Sequence, residues 1–233
     1  MENLSGKTAF VTGVSSGIGS AIAQHFLEVG AQVYGTSRKR RETPEAVHHI
    51  AADLTNEEEL RAIFDDLPAL DILINNAGVA YSAKITDGDS SLWQEMWALN
   101  VHATALCCQL AIPKLSQHGT IVNVSSLSGH RVPPSGGFYA PTKFAVTALT
   151  SALRQELAAA ESKIRVCQIS PGFVETPLLD VYFAGKEQQL AETKKKINML
   201  QPADVAHAVL QAVSTPPHVV LEDIKLRSVD QQG

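Results

Sequence analysis

Short apolar runs that end at glycine or polar turns alternate with stretches of helical periodicity along the chain, and this alternation limits the fold more than any other feature. Thr8-Ala9-Phe10-Val11 reads as a strand buried on both faces. After it, Ile18, Ile22, Ala23, Phe26 and Leu27 form a helical stripe closed by Gly30. Further strands are predicted at 31–36, 47–51, 71–74, 120–124, 163–169 and 219–226, with helices around 89–115, 140–160 and 202–214. Thr55 or Asn56 caps another helix, whose first turn holds Glu57, Glu58 and Glu59 at the positive end of its dipole. Parallel crossovers need a helix, so the expected fold is α/β: a parallel sheet of about seven strands with helices on both faces. At 233 residues the chain suits one such domain, 1–233. Residues 177–200 are less regular and read as a mobile insertion, a substrate lid.

The turn after the first strand is Thr12-Gly13-Val14-Ser15-Ser16-Gly17-Ile18-Gly19. Glycines there allow a tight turn and close approach of a pyrophosphate to the free N–H groups of the following helix. Tyr139 and Lys143 stand four residues apart, so a helix projects phenol and ammonium from one face. A nearby positive charge is expected to lower the phenol's pKa from about 10 and make it a proton-transfer group. Beside a dinucleotide site, the pair reads as half of a hydride-transfer machine.

Other function classes find little support. The net charge of −5 gives no footing for nucleic acid. No apolar run approaches the ~18 residues of a membrane span, and Met1 to Lys7 lack a signal pattern. Three cysteines, with Cys107 and Cys108 adjacent, make no disulfide framework, so a reduced cytoplasmic protein is expected. None of the eight histidines shows metal-ligand spacing, and no metal is expected.

The spacing Thr-Gly-x-x-x-Gly-x-Gly is followed in order by Asn75-Asn76-Ala77-Gly78, Asn100, Ser126, Tyr139, Lys143, Pro171-Gly172 and Thr176. With these markers the whole chain resembles the single-domain form of the short-chain dehydrogenase/reductase superfamily. The resemblance implies a Rossmann-type doubly wound sheet and a catalytic set of Asn100, Ser126, Tyr139 and Lys143. Tyr139 is then the general acid or base, and Lys143 holds the nicotinamide ribose. Ser126 bonds the substrate carbonyl in preference to its rivals Ser125 and Ser128, and Asn100 holds a water that links Lys143 to solvent. Pro141 falls in the helix's first turn, where its missing N–H costs nothing, and places the helix start near Ala140.

The same resemblance places the cofactor on Gly13, Ser15, Ser16, Gly17, Ile18 and Gly19, on Asn76, Ala77 and Gly78, and on Pro171, Gly172, Val174 and Thr176. Asp53 and Leu54 are expected to cover the adenine. Strand two ends in Ser37-Arg38 rather than the Asp that would accept a ribose 2′-hydroxyl, and a guanidinium suits a 2′-phosphate, so NADP is the expected cofactor. Phe138, Phe173, Leu178 and Tyr182, with Ser126 and Tyr139, are the expected substrate contacts, and His130 and Arg131 are polar options. The C-terminal stretch from Gln201 resembles the branch of 3-hydroxy acid (serine-type) dehydrogenases and broad carbonyl and steroid reductases. The expected partners are a small ketone or alcohol and further copies of the chain, as homotetramer or homodimer, with the Cys107-Cys108 helix between subunits. A non-catalytic NADP(H)-binding sensor is the alternative, against which the complete Ser–Tyr–Lys–Asn set argues.

Overall fold

The computed structural model describes residues 3–231; Met1, Glu2, Gln232 and Gly233, the outer ends of the expected domain, lie outside the described residues. Seven strands, β1 Thr8–Thr12, β2 Gln32–Ser37, β3 His48–Ala51, β4 Leu70–Asn75, β5 Leu115–Val124, β6 Arg165–Pro171 and β7 Asp223–Leu226, form one parallel sheet in the order β3-β2-β1-β4-β5-β6-β7. β1 lies between β2 and β4, so the chain reverses its direction of winding there and leaves a crevice at the carboxyl ends of the strands.

Alternation along the central strands decides the two faces. Val11, Ile74, Val122 and Ile169 pack against helix α1 (Gly17–Glu28) and helix α8 (Pro202–Val213) through Ile22, Phe26, Val205 and Val209. Their neighbours Phe10, Leu73, Ile121 and Val166 point the other way. They meet Leu60 and Phe64 of α2 (Glu57–Asp66), Leu106 and Cys107 of α4 (Thr104–Ala111), and Leu153 and Leu157 of α5 (Tyr139–Ala159). Of the two residues proposed to cap α2, Asn56 does so, accepting from the N–H groups of Glu58 and Glu59.

The structure corrects four sequence-based assignments. The helix expected over 89–115 is broken into α3 (Ser90–Trp97), a π-helical stretch at Ala98–Ala103, α4 and a 3-10 turn at Ile112–Lys114. Asn100 lies inside the wide turn, and its side chain leaves the helix to bond Val79. β5 begins at Leu115 and β7 only at Asp223. The residues before β7 stay irregular because the Arg165 guanidinium ties the carbonyls of Val213, Thr215 and Val219 together. The expected insertion at 177–200 is two helices, α6 (Pro177–Tyr182) and α7 (Glu187–Lys196), packed around Phe183, Leu190 and Met199.

Candidate active site

The glycine turn joins β1 to α1 at the crevice. Gly13 and Gly17 have φ of 76° and 56°, a region costly for any residue with a Cβ. At Gly19 a Cβ would lie 2.2 Å from the Gly13 carbonyl oxygen, so the turn closes on itself only with hydrogen there. The Asn76 amide donates to the carbonyls of Thr12 (2.9 Å) and Gly13 (3.3 Å), and the Asn76 and Ala77 N–H groups donate to Thr12 Oγ1, which staples the end of β4 to the turn. Ser16 caps α1 without a side-chain hydrogen bond, and the helix carries no acidic residue in its first turn. Ile18 is partly buried behind it, and the Ser15 carbonyl accepts from Glu42 N–H. Uncapped N–H groups in a cradle that a Cβ would fill fit a phosphate.

Beyond β2 the expected pair divides. Ser37 is buried and its hydroxyl is engaged with the Lys39 carbonyl (3.1 Å) and His49 Nε2 (2.8 Å), whereas Arg38 is exposed. The exposed Arg38 charge favours the ionised forms of Asp53 and Tyr81. Asp53 accepts from Thr55 N–H and Oγ1 through one oxygen, and these bonds hold its carboxyl below the usual range. Leu54 is buried beneath it. On the far side, Gly172 N–H donates to the Leu226 carbonyl, Val174 is buried, and Thr176 starts α6 with its methyl 3.0 Å from where a Gly17 Cβ would be. Pro171 ends β6, and its carbonyl lies 3.5 Å from Ser126 Oγ. Gly78 lies close to Asn100, whose Oδ1 would stand 3.1 Å from an added Cβ.

Ser126, Tyr139 and Lys143 converge at the carboxyl end of β5 and the start of α5. α5 starts at Tyr139, so the phenol and Lys143 share its first turns. The Ser126 hydroxyl acts on the Tyr139 phenol to lower its pKa, and it accepts from Ser128 N–H at 3.1 Å. Ser125 points elsewhere: it is 3% exposed and donates to the Lys143 carbonyl, so it fastens β5 to α5. Lys143 is 7% exposed; its Nζ donates to the Val124 carbonyl at 3.0 Å and sits 5.8 Å from the centre of the Tyr139 ring.

The electrostatics differ from the expectation. Burial pushes the Tyr139 phenol up to about 12, the Ser126 hydrogen bond opposes that shift, and Tyr182 adds to it. Burial also lowers Lys143 to about 8. Desolvation disfavours both charged forms, and the ammonium faces a carbonyl rather than the phenol oxygen, so the expected lowering of the phenol by Lys143 is absent. Asn100 does not reach Lys143. Its Oδ1 accepts from Val79 N–H, and its Nδ2 donates to the Val79 carbonyl and to Thr142 Oγ1, which donates to the Tyr139 carbonyl.

The expected substrate residues separate. Tyr182 lies 6.1 Å from Tyr139 ring to ring, and its hydroxyl bonds the Ser135 carbonyl. Leu178 is half-buried on α6, and Phe173 packs on the Phe183–Leu190–Met199 cluster of the lid. Phe138 stacks on Trp93 at 5.3 Å and lines a groove of about 480 Å³ along α3, with Trp97 and His102. His130 turns to β6 and β7, where its Nε2 lies 3.0 Å from Ser170 Oγ, 3.2 Å from Gln168 Nε2 and 3.4 Å from Asp223 Oδ2. The sequence reading missed Lys186, whose Nζ donates to Ser82 Oγ at 2.6 Å, and Ser135; contacts across 104 and 47 positions leave no local signal. Among the described residues, no group of three or more His, Cys, Asp or Glu could hold a metal ion, and no helix is long and apolar enough to cross a membrane.

Comparison with known proteins points one way. A family model described as short chain dehydrogenase matches residues 7–187. The Bos taurus protein named dehydrogenase/reductase SDR family member 11 is 39% identical over 99% of this chain and 99% of its own length, and the Homo sapiens protein of that name is 37% identical over 99% and 97%. A solved structure of serine dehydrogenase in closed form, complexed with NADP+, superposes with a TM-score of 0.90 at 26% identity, covering 97% of this chain and 96% of the other. A short chain dehydrogenase from Burkholderia cenocepacia J2315 in complex with NADP gives 0.84 at 27% identity, covering 96% and 97%.

Proposed function

The chain belongs to the short-chain dehydrogenase family, and we propose that it is an NADP(H)-dependent oxidoreductase that interconverts a secondary alcohol and a ketone. The observation that carries this reading is the convergence of Ser126, Tyr139 and Lys143 beside a glycine cradle and an exposed Arg38. The solved relatives complexed with NADP support the choice of cofactor. Arg38 would pair with the 2′-phosphate, the start of α1 would hold the pyrophosphate, and Lys143 would meet the nicotinamide ribose. When bound, NADPH supplies the hydride.

This chain's residues handle the proton and the oxygen. Ser126 Oγ donates to the carbonyl oxygen and stabilises the charge that grows there. Tyr139, kept protonated near neutral pH by its raised pKa, gives its hydroxyl proton to the same oxygen. Reduction uses the phenol and alcohol oxidation uses the phenolate. Tyr182 and Lys186 close the lid above Tyr139 and restrict water. Asn100 holds the start of α5 in place through Thr142. The exposed Phe144 and Trp97, 40% and 47% accessible, support assembly into a homodimer or homotetramer. Three free cysteines agree with a cytoplasmic setting.

The test is oxidation of NADPH and of NADH against 3-oxo acids, α-dicarbonyls, aryl ketones and steroid ketones, followed by the nicotinamide absorbance. NADPH-dependent turnover of at least one class is expected. Tight NADPH binding without turnover of any class would replace this reading with the sensor.

A further inference from the structure

Helices α1 and α8 meet at the surface, on the face of the sheet that carries Val11 and Ile169, through two histidines that the proposed reaction does not use. His25 Nε2 and His207 Nε2 lie 3.2 Å apart, with the rings nearly perpendicular at 87°. His25 is half-buried and His207 is exposed, so solvent reaches the pair. His25 Nδ1 lies 3.0 Å from the Ala21 carbonyl oxygen. That oxygen has no proton to give, so Nδ1 carries the hydrogen and Nε2 presents a lone pair. In the metal-free chain His207 must then donate from its own Nε2.

We infer that His25 and His207 form a two-histidine site for a divalent transition-metal ion of the zinc class, clamping α1 to α8. Zinc–imidazole bonds are ~2.0–2.1 Å, so nitrogens at the observed separation subtend about 100° at a shared ion, near the tetrahedral angle. The Nδ1–H bond to the Ala21 carbonyl is the outer contact that fixes ring orientation and tautomer in histidine metal sites. Both helices are anchored beneath the pair by Ile22, Phe26, Val205 and Val209 in a single core, so the ligands are held before the ion arrives.

Binding moves the proton of His207 from Nε2 to Nδ1, leaves both rings neutral, and displaces two waters from the ion. Solvent fills the remaining positions. Asp204, one turn before His207, is not a ligand, because its carboxylate accepts from Gln201 N–H in the cap of α8. Imidazole pairs favour Zn²⁺ and Cu²⁺ over Mg²⁺ or Ca²⁺.

The experiment uses chelator-treated full chain titrated with Zn²⁺ or Mg²⁺, read by calorimetric stoichiometry and melting temperature, with Cu²⁺ as a spectroscopic probe. The expected result is one Zn²⁺ per chain, a rise in Tm of ~2–8 °C, no response to Mg²⁺, and a Cu²⁺ electron-resonance spectrum split by two nitrogens. His25→Ala and His207→Gln should each abolish the response, while His118→Ala, on an exposed part of β5, should keep it. His207 is exposed, so its variant tests the site even if His25→Ala fails to fold. Absence of Zn²⁺ binding, or binding that survives both substitutions, would leave the pair as a hydrogen bond and overturn the site.

Discussion

The cofactor side of the crevice and the lid side are built in different ways. The cofactor side is made by backbone: positive-φ glycines, a turn closed on its own carbonyl, and the Asn76 staple between adjacent strands. The lid side is made by side chains far apart in sequence: Tyr182 on the Ser135 carbonyl, Lys186 on Ser82, and an aromatic contact with Tyr139. A backbone cradle accepts one kind of ligand and tolerates little change. A lid joined by a few polar contacts can open and can be retuned for another substrate. The catalytic set stands between them, on the first turns of α5 and the end of β5.

The sharpest way to break this division is at the two adjacent serines. Ser126→Ala should lower turnover by about a hundredfold or more, with NADPH affinity unchanged, as for loss of one oxyanion donor. Ser125→Ala should instead lower stability by about 1–3 kcal/mol in thermal or urea unfolding, because its buried bond fastens β5 to α5. If kinetics assign the larger turnover loss to Ser125, the two serines are interchanged in this account. A smaller effect probes the cofactor side alone. Arg38→Ala should weaken NADPH by about tenfold while NADH changes little, measured by fluorescence titration, as expected from one exposed charge-assisted pair. Equal losses for the two nucleotides would remove the 2′-phosphate contact. The smallest effect belongs to the lid: Tyr182→Phe with Lys186→Ala should raise KM for the ketone by about threefold to tenfold and leave the NADPH dissociation constant alone, the two exposed contacts together contributing about 0.6–1.4 kcal/mol. A changed NADPH affinity there would show that the two sides are not separate.

The same division explains what the sequence could reveal. Glycines that a turn requires, alternation of Phe10 with Val11, and the Asn56 cap are local physics, and the sheet and the cradle followed from them. The π-helical break at Asn100 was hidden, because it depends on Val79 and Thr142, far away in the chain. His130 read as a pocket residue and instead joins β6 and β7, since its partners Ser170, Gln168 and Asp223 are distant in sequence. The phenol's shift was expected with the wrong sign: the i, i+4 spacing put Lys143 beside the ring, but its ammonium bonds the Val124 carbonyl and burial raises the phenol. Distance along a helix is legible from sequence, whereas desolvation belongs to the assembled site.

The most direct test of the account is Tyr139→Phe, with turnover and NADPH binding measured on the same preparation. The substitution keeps the ring and removes only the hydroxyl, and with it the proton that Oη would deliver. The account predicts that turnover falls by about 10²–10⁴-fold while the NADPH dissociation constant stays within about twofold. Turnover that survives in Tyr139→Phe would contradict proton delivery by this phenol.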